Sequence, residues 1–255
     1  MLSINAITAN ASSNTTDKDS NLESKQAHWQ GFYVGGVLGE LWGKNNATWN
    51  PLPSPVAFGA SQIMGKNNSS GFVGGILAGY NYQFAKNLIS GIEADWSWTN
   101  AKGILSSPWT FYGTSNISQG TYSNMESTLN WIPSIRARIG YLMLPKIMVY
   151  GAIGVTWGNI TYTGNNSNNR NGGAQLYTTN TIFSKTALGY TVGGGLEWAI
   201  IRNFFLRAEY LYYQFSSSQN NVAQDTTGHF PAYPSNYVWG NTFVNTARAG
   251  LVYKF

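Results

Sequence analysis

The sequence contains no cysteine, which excludes a disulfide framework, a thiol nucleophile and a Cys-ligated zinc. Histidine is almost as scarce: His28 stands near the start and His229 in a distal polar segment, so the sequence offers no His pair for a metal and no Ser-His-Asp arrangement. Charged residues make up 10% of the chain, against about a quarter in soluble domains. Apolar residues do not fill that deficit. No stretch approaches the roughly 20 consecutive apolar residues of a transmembrane helix, and the mean hydropathy is -0.21, so a helical span is excluded. Gly, Asn, Ser, Thr and aromatic residues take up the difference, in a chain of 255 residues that allows one large domain or two small ones.

Residues 1–28 are polar and without apolar period, and are expected to form a disordered tail. Within them Ala9-Asn10-Ala11 fits the small-x-small pattern of a signal-peptidase site after a weakly apolar start, although a basic n-region and a full apolar segment are missing. A chance Ala-rich start and a signal-peptide remnant ending at Ala11 both fit.

From Trp29 to Phe255 the pattern is alternation with period two, the signal of strands. Eight segments are expected: Gln30 to Trp42, Gly71 to Phe84, Leu88 to Thr99, Leu129 to Leu144, Ile147 to Thr161, Ala187 to Ile200, Phe204 to Phe215 and Thr242 to Phe255. Tight turns at Lys86, Lys146 and Arg202 alternate with long polar connections near 43–70, 100–128, 162–186 and 216–241. An even strand number with short turns on one side and long loops on the other is the signature of an outer-membrane β-barrel. The predicted fold is therefore an all-β, eight-stranded antiparallel up-and-down transmembrane barrel spanning 29–255, with short periplasmic turns and four extracellular loops. Those loops bury too little apolar surface to offset ordering and are expected to be mobile.

A soluble lipocalin-like barrel would have the same strand count but apolar residues inside. The strand faces discriminate. Ile135, Ala137, Ile139 and Tyr141 oppose Arg136 and Arg138; Ile92, Ala94 and Trp96 oppose Glu93 and Asp95; and Leu206, Ala208 and Tyr210 oppose Arg207 and Glu209. An arginine facing lipid costs roughly 2–4 kcal/mol at the bilayer midplane, so the charged faces are expected to point inward. The lumen set is then Glu93, Asp95, Glu197 and Glu209 against Arg136, Arg138, Arg207 and Arg248, four of each sign. The interior of an eight-stranded barrel has room only for side chains, so these groups must pair. A balanced lumen suits a plug better than an ion-selective pore. The other 11 bases and 6 acids are assigned to tail, turns and loops. Aromatics fall into two girdles, with Tyr82, Tyr141, Trp198 and Phe204 beside the short turns and Trp96, Trp98, Trp131 and Trp157 toward the long loops.

The run Trp29-Gln30-Gly31-Phe32-Tyr33-Val34-Gly35-Gly36, with Phe72-Val73-Gly74-Gly75, Gly91-Ile92-Glu93-Ala94-Asp95, Arg136-Ala137-Arg138-Ile139-Gly140-Tyr141 and Arg207-Ala208-Glu209-Tyr210, resembles the small alphaproteobacterial outer-membrane surface antigens. That family belongs to the opacity-protein-like barrel superfamily and includes porin-like and hemin-binding proteins. The likeness covers the strands of 29–255 and none of the loops. Tyr253 and Phe255 resemble the terminal aromatic signal read by the barrel-assembly machinery, which implies insertion into a Gram-negative outer membrane. Val37 and Leu77 stand at inward positions where the family commonly has polar residues, which argues for a drier lumen than a porin's.

Three functions follow as expectations. The first is a structural and surface-interaction barrel with a plugged lumen, and the second a narrow porin for ions or small solutes. The third, implied only by resemblance, is surface hemin binding, with His229 as an iron ligand and Tyr237 and Trp239 among loop aromatics that could stack; those aromatics fit a hydrophobic cap over the barrel mouth equally well. No enzymatic constellation and no cofactor other than hemin is indicated. Lys44, Lys66, Lys102, Arg170 and Lys185 are scattered over three of the long loops instead of forming one cluster, which argues against nucleic acid and for attraction to anionic lipopolysaccharide. Outer-membrane lipid and a host-surface ligand complete the expected partners.

Overall fold

The computed structural model describes residues 28–51, 62–107, 110–112, 119–170, 174–224, 226 and 234–255. Eight antiparallel strands close a ring: β1 (Gly31–Pro51), β2 (Ile63–Ala85), β3 (Leu88–Ser106), β5 (Gln119–Leu144), β6 (Ile147–Arg170), β7 (Ala174–Ile201), β8 (Phe204–Phe215) and β11 (Thr242–Lys254). Three short strands stand outside it: β4 (Thr110–Tyr112), β9 (Gln219–Ala223) and β10 (Ser235–Trp239). Each strand pairs with its ring neighbour, and β11 closes on β1 from Tyr33↔Lys254 to Lys44↔Phe243. The three tight turns lie at Lys86, Lys146 and Arg202, all at one end, as the sequence predicts.

The strands are longer than the sequence suggested. β1 runs to Pro51, β5 begins at Gln119, β6 continues to Arg170 and β7 begins at Ala174, so most of the described residues in the segments expected as mobile loops are continuous strand. The cause is an inversion of faces. In the lower half the outward residues are apolar and exposed, such as Phe32, Leu38, Ile76, Ile139, Ile153 and Leu251. Higher up, the outward residues turn polar (Asn46, Glu126, Thr161, Ser184) while the inward ones turn apolar: Ala47, Trp49, Met125, Ile160 and Tyr162 are buried. The upper barrel therefore has a core of its own, and burial there offsets the entropy of ordering the chain.

At the top of β1 the partner changes. β11 pairs with β1 as far as Lys44, and from Ala47↔Trp239 to Pro51↔Ser235 its place is taken by β10, which in turn pairs with β9. Asn221 of β9 donates to Thr181 of β7 at 2.5 Å. The gap between β7 and β1 is thus filled by β8 and β11 in the lower barrel and by β9 and β10 above it. Residues 52–61 and 227–233, inside two of the expected loops, lie outside the described residues.

Candidate functional site

Alternation delivers every acidic and basic side chain of the expected lumen set to the inside. Arg136 and Arg138 come from β5, Glu93 and Asp95 from β3, Glu197 from β7, Arg207 and Glu209 from β8 and Arg248 from β11, and each is at most 5% exposed. They form one connected network. Arg138 donates to Glu93 at 3.0 Å and to Glu197 at 2.6 Å. Arg207 reaches Glu197 at 2.7 Å and lies 2.7 Å from Glu93 in ion-pair but not hydrogen-bond geometry. Arg136 pairs with Glu93 and stands 3.6 Å from Glu209. Arg248 joins Glu209 to Asp95, the latter at 2.7 Å, and also donates to Ser97 at 2.9 Å. Such mutual pairing is what lets charges leave water at tolerable cost.

Sequence reasoning missed several members. Lys254, on the inward face of β11, donates to Glu197 at 2.7 Å and stacks its ammonium over Phe205 at 4.1 Å and Trp29 at 4.4 Å. The network accordingly has five bases against four acids, which corrects the expected four-to-four balance. Tyr33 donates to Glu93 at 2.8 Å, and Tyr150 donates to Glu209 at 2.9 Å while its ring lies 4.1 Å beneath the Arg138 guanidinium. Both rings lie across the wall because glycines face them. A Cβ on Gly195 would come within 2.7 Å of the Tyr150 hydroxyl, and one on Gly79 would collide with that of Tyr33. The signal was available in the sequence, since Lys254 continues the row of Arg248 and Gly250.

Two apolar layers enclose the ions. Toward the turns lie Trp29, Ile89, Met148, Ala199, Phe205 and Val252; Val37 and Leu77, the two inward apolar positions noted in the sequence, join the same cluster at the height of the ions, Leu77 in register with Asp95 and Val37 with Gly250. Toward the opposite end lie Leu41, Ile132, Leu211, Tyr213 and Phe215, topped by Trp49, Tyr162, Tyr237 and Trp239. The last two are fully buried. Tyr162 and Trp239 pack with ring centroids 5.1 Å apart, and the Tyr237 hydroxyl is 2.7 Å from that of Thr179. Tyr237 and Trp239 therefore build the interior cap and present no ring to an outside ligand, which corrects the reading of both as hemin-stacking residues. His229 lies outside the described residues. Trp109 and the side chains of Phe111 and Tyr112 do as well.

On the outside, the apolar belt is bounded by both expected girdles. Phe32–Tyr80, Phe204–Tyr253 and Tyr253–Phe255 make edge-on contacts at 4.8, 5.0 and 5.1 Å near the turns, and Trp96–Trp131 and Trp42–Tyr210 meet at 5.4 and 6.2 Å on the far side. So large a continuous apolar surface belongs in lipid and not in water. Two charges lie outside every segment expected as tail, turn or loop, within the expected membrane strands themselves. Lys254 is internal, and Glu40 faces outward on β1 between Leu38 and Trp42. Among the loop cations, Lys185 turns inward, the side chain of Arg170 lies outside the described residues, and Lys44, Lys66 and Lys102 stand exposed on three adjacent strands instead of being scattered.

Residues 5–255 match the family model of the outer membrane protein beta-barrel domain. The chain is 31% identical over 229 residues to the 31 kDa outer-membrane immunogenic protein of Brucella melitensis, covering 89% of this chain and 84% of that one. It is 27% identical over 194 residues to the 22 kDa outer membrane protein of Rhizobium leguminosarum bv. viciae, covering 76% and 68%. Among solved structures it is similar to the outer membrane protein OprG from Pseudomonas aeruginosa, with 10% identity, coverage of 91% and 99% and a TM-score of 0.47. The barrel with its lipid-facing belt, the matching family model and the curated relatives agree: this chain belongs to the outer-membrane β-barrel family of Gram-negative surface antigens and resides in the outer membrane.

Proposed function

We propose that the protein is a non-conducting, non-enzymatic surface-display barrel, with its tight turns in the periplasm and its long hairpins outside the cell. The observation that carries this reading is the filled lumen. An ion network spans the interior, and apolar side chains seal it on both sides. A hydrated path would have to break buried ion pairs and open two hydrophobic layers. The upper barrel then serves as a rigid stalk that carries the far ends of the long strands away from the membrane, and contacts with a host-surface ligand fall to that end of the barrel. Tyr253 and Phe255, outward at the end of β11, supply the strand that the assembly machinery engages.

Two experiments test this. In planar bilayers the purified, refolded protein is expected to give no unitary conductance steps. Steady steps, enlarged by Tyr33→Ala, would establish the narrow porin instead. Because the chain lacks cysteine, single replacements report orientation: Asn68→Cys should react with an impermeant maleimide on intact cells and Lys86→Cys should not. The reverse pattern would invert the barrel and end the surface-display reading.

A further inference from the structure

We propose that the outer wall of β1, β2 and β3 carries a docking surface for the phosphorylated headgroup of lipopolysaccharide. Lys44, Lys66 and Lys102 all point outward and are exposed. Register fixes their spacing: Lys44 pairs with Asn68, Lys66 with Asn46, and Lys102 with Ser70. With strands about 4.8 Å apart and a rise of about 3.3 Å per residue, the Lys44 Cα stands about 8 Å from that of Lys66 and about 12 Å from that of Lys102. Flexible four-carbon stems let the three ammonium groups converge on one headgroup.

The level of the patch matches this ligand. Lys44 comes two residues after Trp42 on β1, and Lys102 four residues after Trp98 on β3, so the cations begin where the aromatic girdle ends and lipid phosphates lie. A shallow groove beside Lys44 is lined by Trp42, Asn68, Ser70, Tyr212 and Phe243. It offers an aromatic floor and polar donors. Two acids border the patch. Glu126 pairs with Lys102 at 2.7 Å, but Lys102 is half-exposed and Glu126 only partly buried, so the pair is screened and exchangeable. Glu40, two residues below Trp42, repels a phosphate from the hydrocarbon side and so keeps it at the lysine level. Lys44 and Lys66 have no ion-pair partner among the described residues. Elsewhere the wall at corresponding heights carries neutral groups such as Asn130, Asn159, Thr161, Thr186, Gln214 and Asn245. The positive charge is one-sided, as a site requires and a uniform basic collar does not.

The inference goes beyond the sealed lumen and rests only on which barrel end faces outward. It is tested on the full chain in phosphatidylcholine nanodiscs titrated with fluorescent lipopolysaccharide. The triple variant K44Q/K66Q/K102Q is expected to lose about 25- to 100-fold in affinity, each lysine near an anionic surface being worth roughly fivefold. K44R/K66R/K102R should bind as the wild type does, and the turn variant K86Q/K146Q should be unaffected. Enzymatically dephosphorylated lipopolysaccharide should bind the wild type as weakly as the intact lipid binds the triple variant, and millimolar inorganic phosphate should not compete. Equal binding by wild type and triple variant, an equal loss in K86Q/K146Q, or undiminished binding of the dephosphorylated lipid would each overturn the proposal. Displacement by inorganic phosphate would also overturn it, by making the site one for a free anion. Because this binding is independent of membrane sidedness, inverted cysteine labelling with normal lipopolysaccharide binding would refute the orientation alone.

Discussion

Glu197 is the point at which the lumen network is most exposed to perturbation. Its carboxylate is fully buried and accepts from Arg138 at 2.6 Å, Arg207 at 2.7 Å and Lys254 at 2.7 Å. Glu197→Gln preserves size and one acceptor oxygen but removes the charge, leaving five bases against three acids in a space closed to water. Stripping one partner from a buried ionic cluster costs about 3–5 kcal/mol. With a urea dependence of about 2–3 kcal/mol per molar, the unfolding midpoint should fall by roughly 1–2 M. The matched exposed control is Glu126→Gln, whose partner Lys102 is half in solvent; its effect should stay within about 1 kcal/mol. Adding Lys254→Met to Glu197→Gln removes one of the surplus cations, and the double variant should recover part of the loss, on the order of 0.5–3 kcal/mol of coupling. Urea titration in lipid vesicles, followed by tryptophan fluorescence and heat-modifiable migration, measures all three. Equal small shifts for Glu197→Gln and Glu126→Gln would mean that water reaches the ions, and the sealed lumen would be refuted.

Three further outcomes are expected. Deleting Phe255, or replacing it with Asp, should lower outer-membrane assembly and increase periplasmic degradation; normal yields of heat-modifiable barrel from the deletion would count against its role. Gly195→Val should push Tyr150 off Glu209 and destabilise by about 1–3 kcal/mol, whereas Gly36→Ala, whose added Cβ meets nothing closer than 3.9 Å, should be close to neutral in the same urea assay. Trp239→Ala should loosen the upper barrel without unfolding the lower one, so that protease added to intact cells cuts the strand residues 43–50 and 63–70, which the wild type protects; cutting at those residues in the wild type would restore the mobile-loop expectation.

The membrane half of the barrel was legible because lipid imposes a hard rule on it. Arginine cannot face hydrocarbon, so once Arg136, Arg138, Arg207 and Arg248 shared faces with Glu93, Asp95, Glu197 and Glu209, inside and outside were fixed. The upper half was not legible, for two physical reasons. Its interior apolar residues are interrupted by polar ones, as in the inward row Asn45, Ala47, Trp49, so no single strand there carries enough apolar weight to declare itself; the core exists only once β1, β5, β6, β8 and β10 are assembled. The polarity of the faces also reverses near Trp42, and a rule that puts apolar residues outside reads everything beyond that row as loop. The lysine patch was hidden in the same way: Lys44, Lys66 and Lys102 are far apart along the chain and become neighbours only through the registers of β1 with β2 and of β2 with β3. Lys254 was a different kind of miss, since period two places it on the inward row of Arg248 and Gly250 and only its membership of the network was overlooked.

The exchange of partners along β1 bears on how the barrel comes together. Tyr33 must find Lys254, and Trp49 must find Tyr237, both near the far end of the chain, whereas every other ring contact joins a strand to the next ring strand along the chain. Neighbouring hairpins can zip in turn as they emerge, but the first strand keeps an unpaired edge until the last segment arrives, and an unpaired edge invites the wrong partner. Ring closure is therefore the late step, and one strand receives two latecomers at once, β11 along its lower length and β10 along its upper. An error in the register of β10 would misalign the seam above the membrane even when the seam within it is correct, so the alignment of the upper barrel depends on a strand of only five residues.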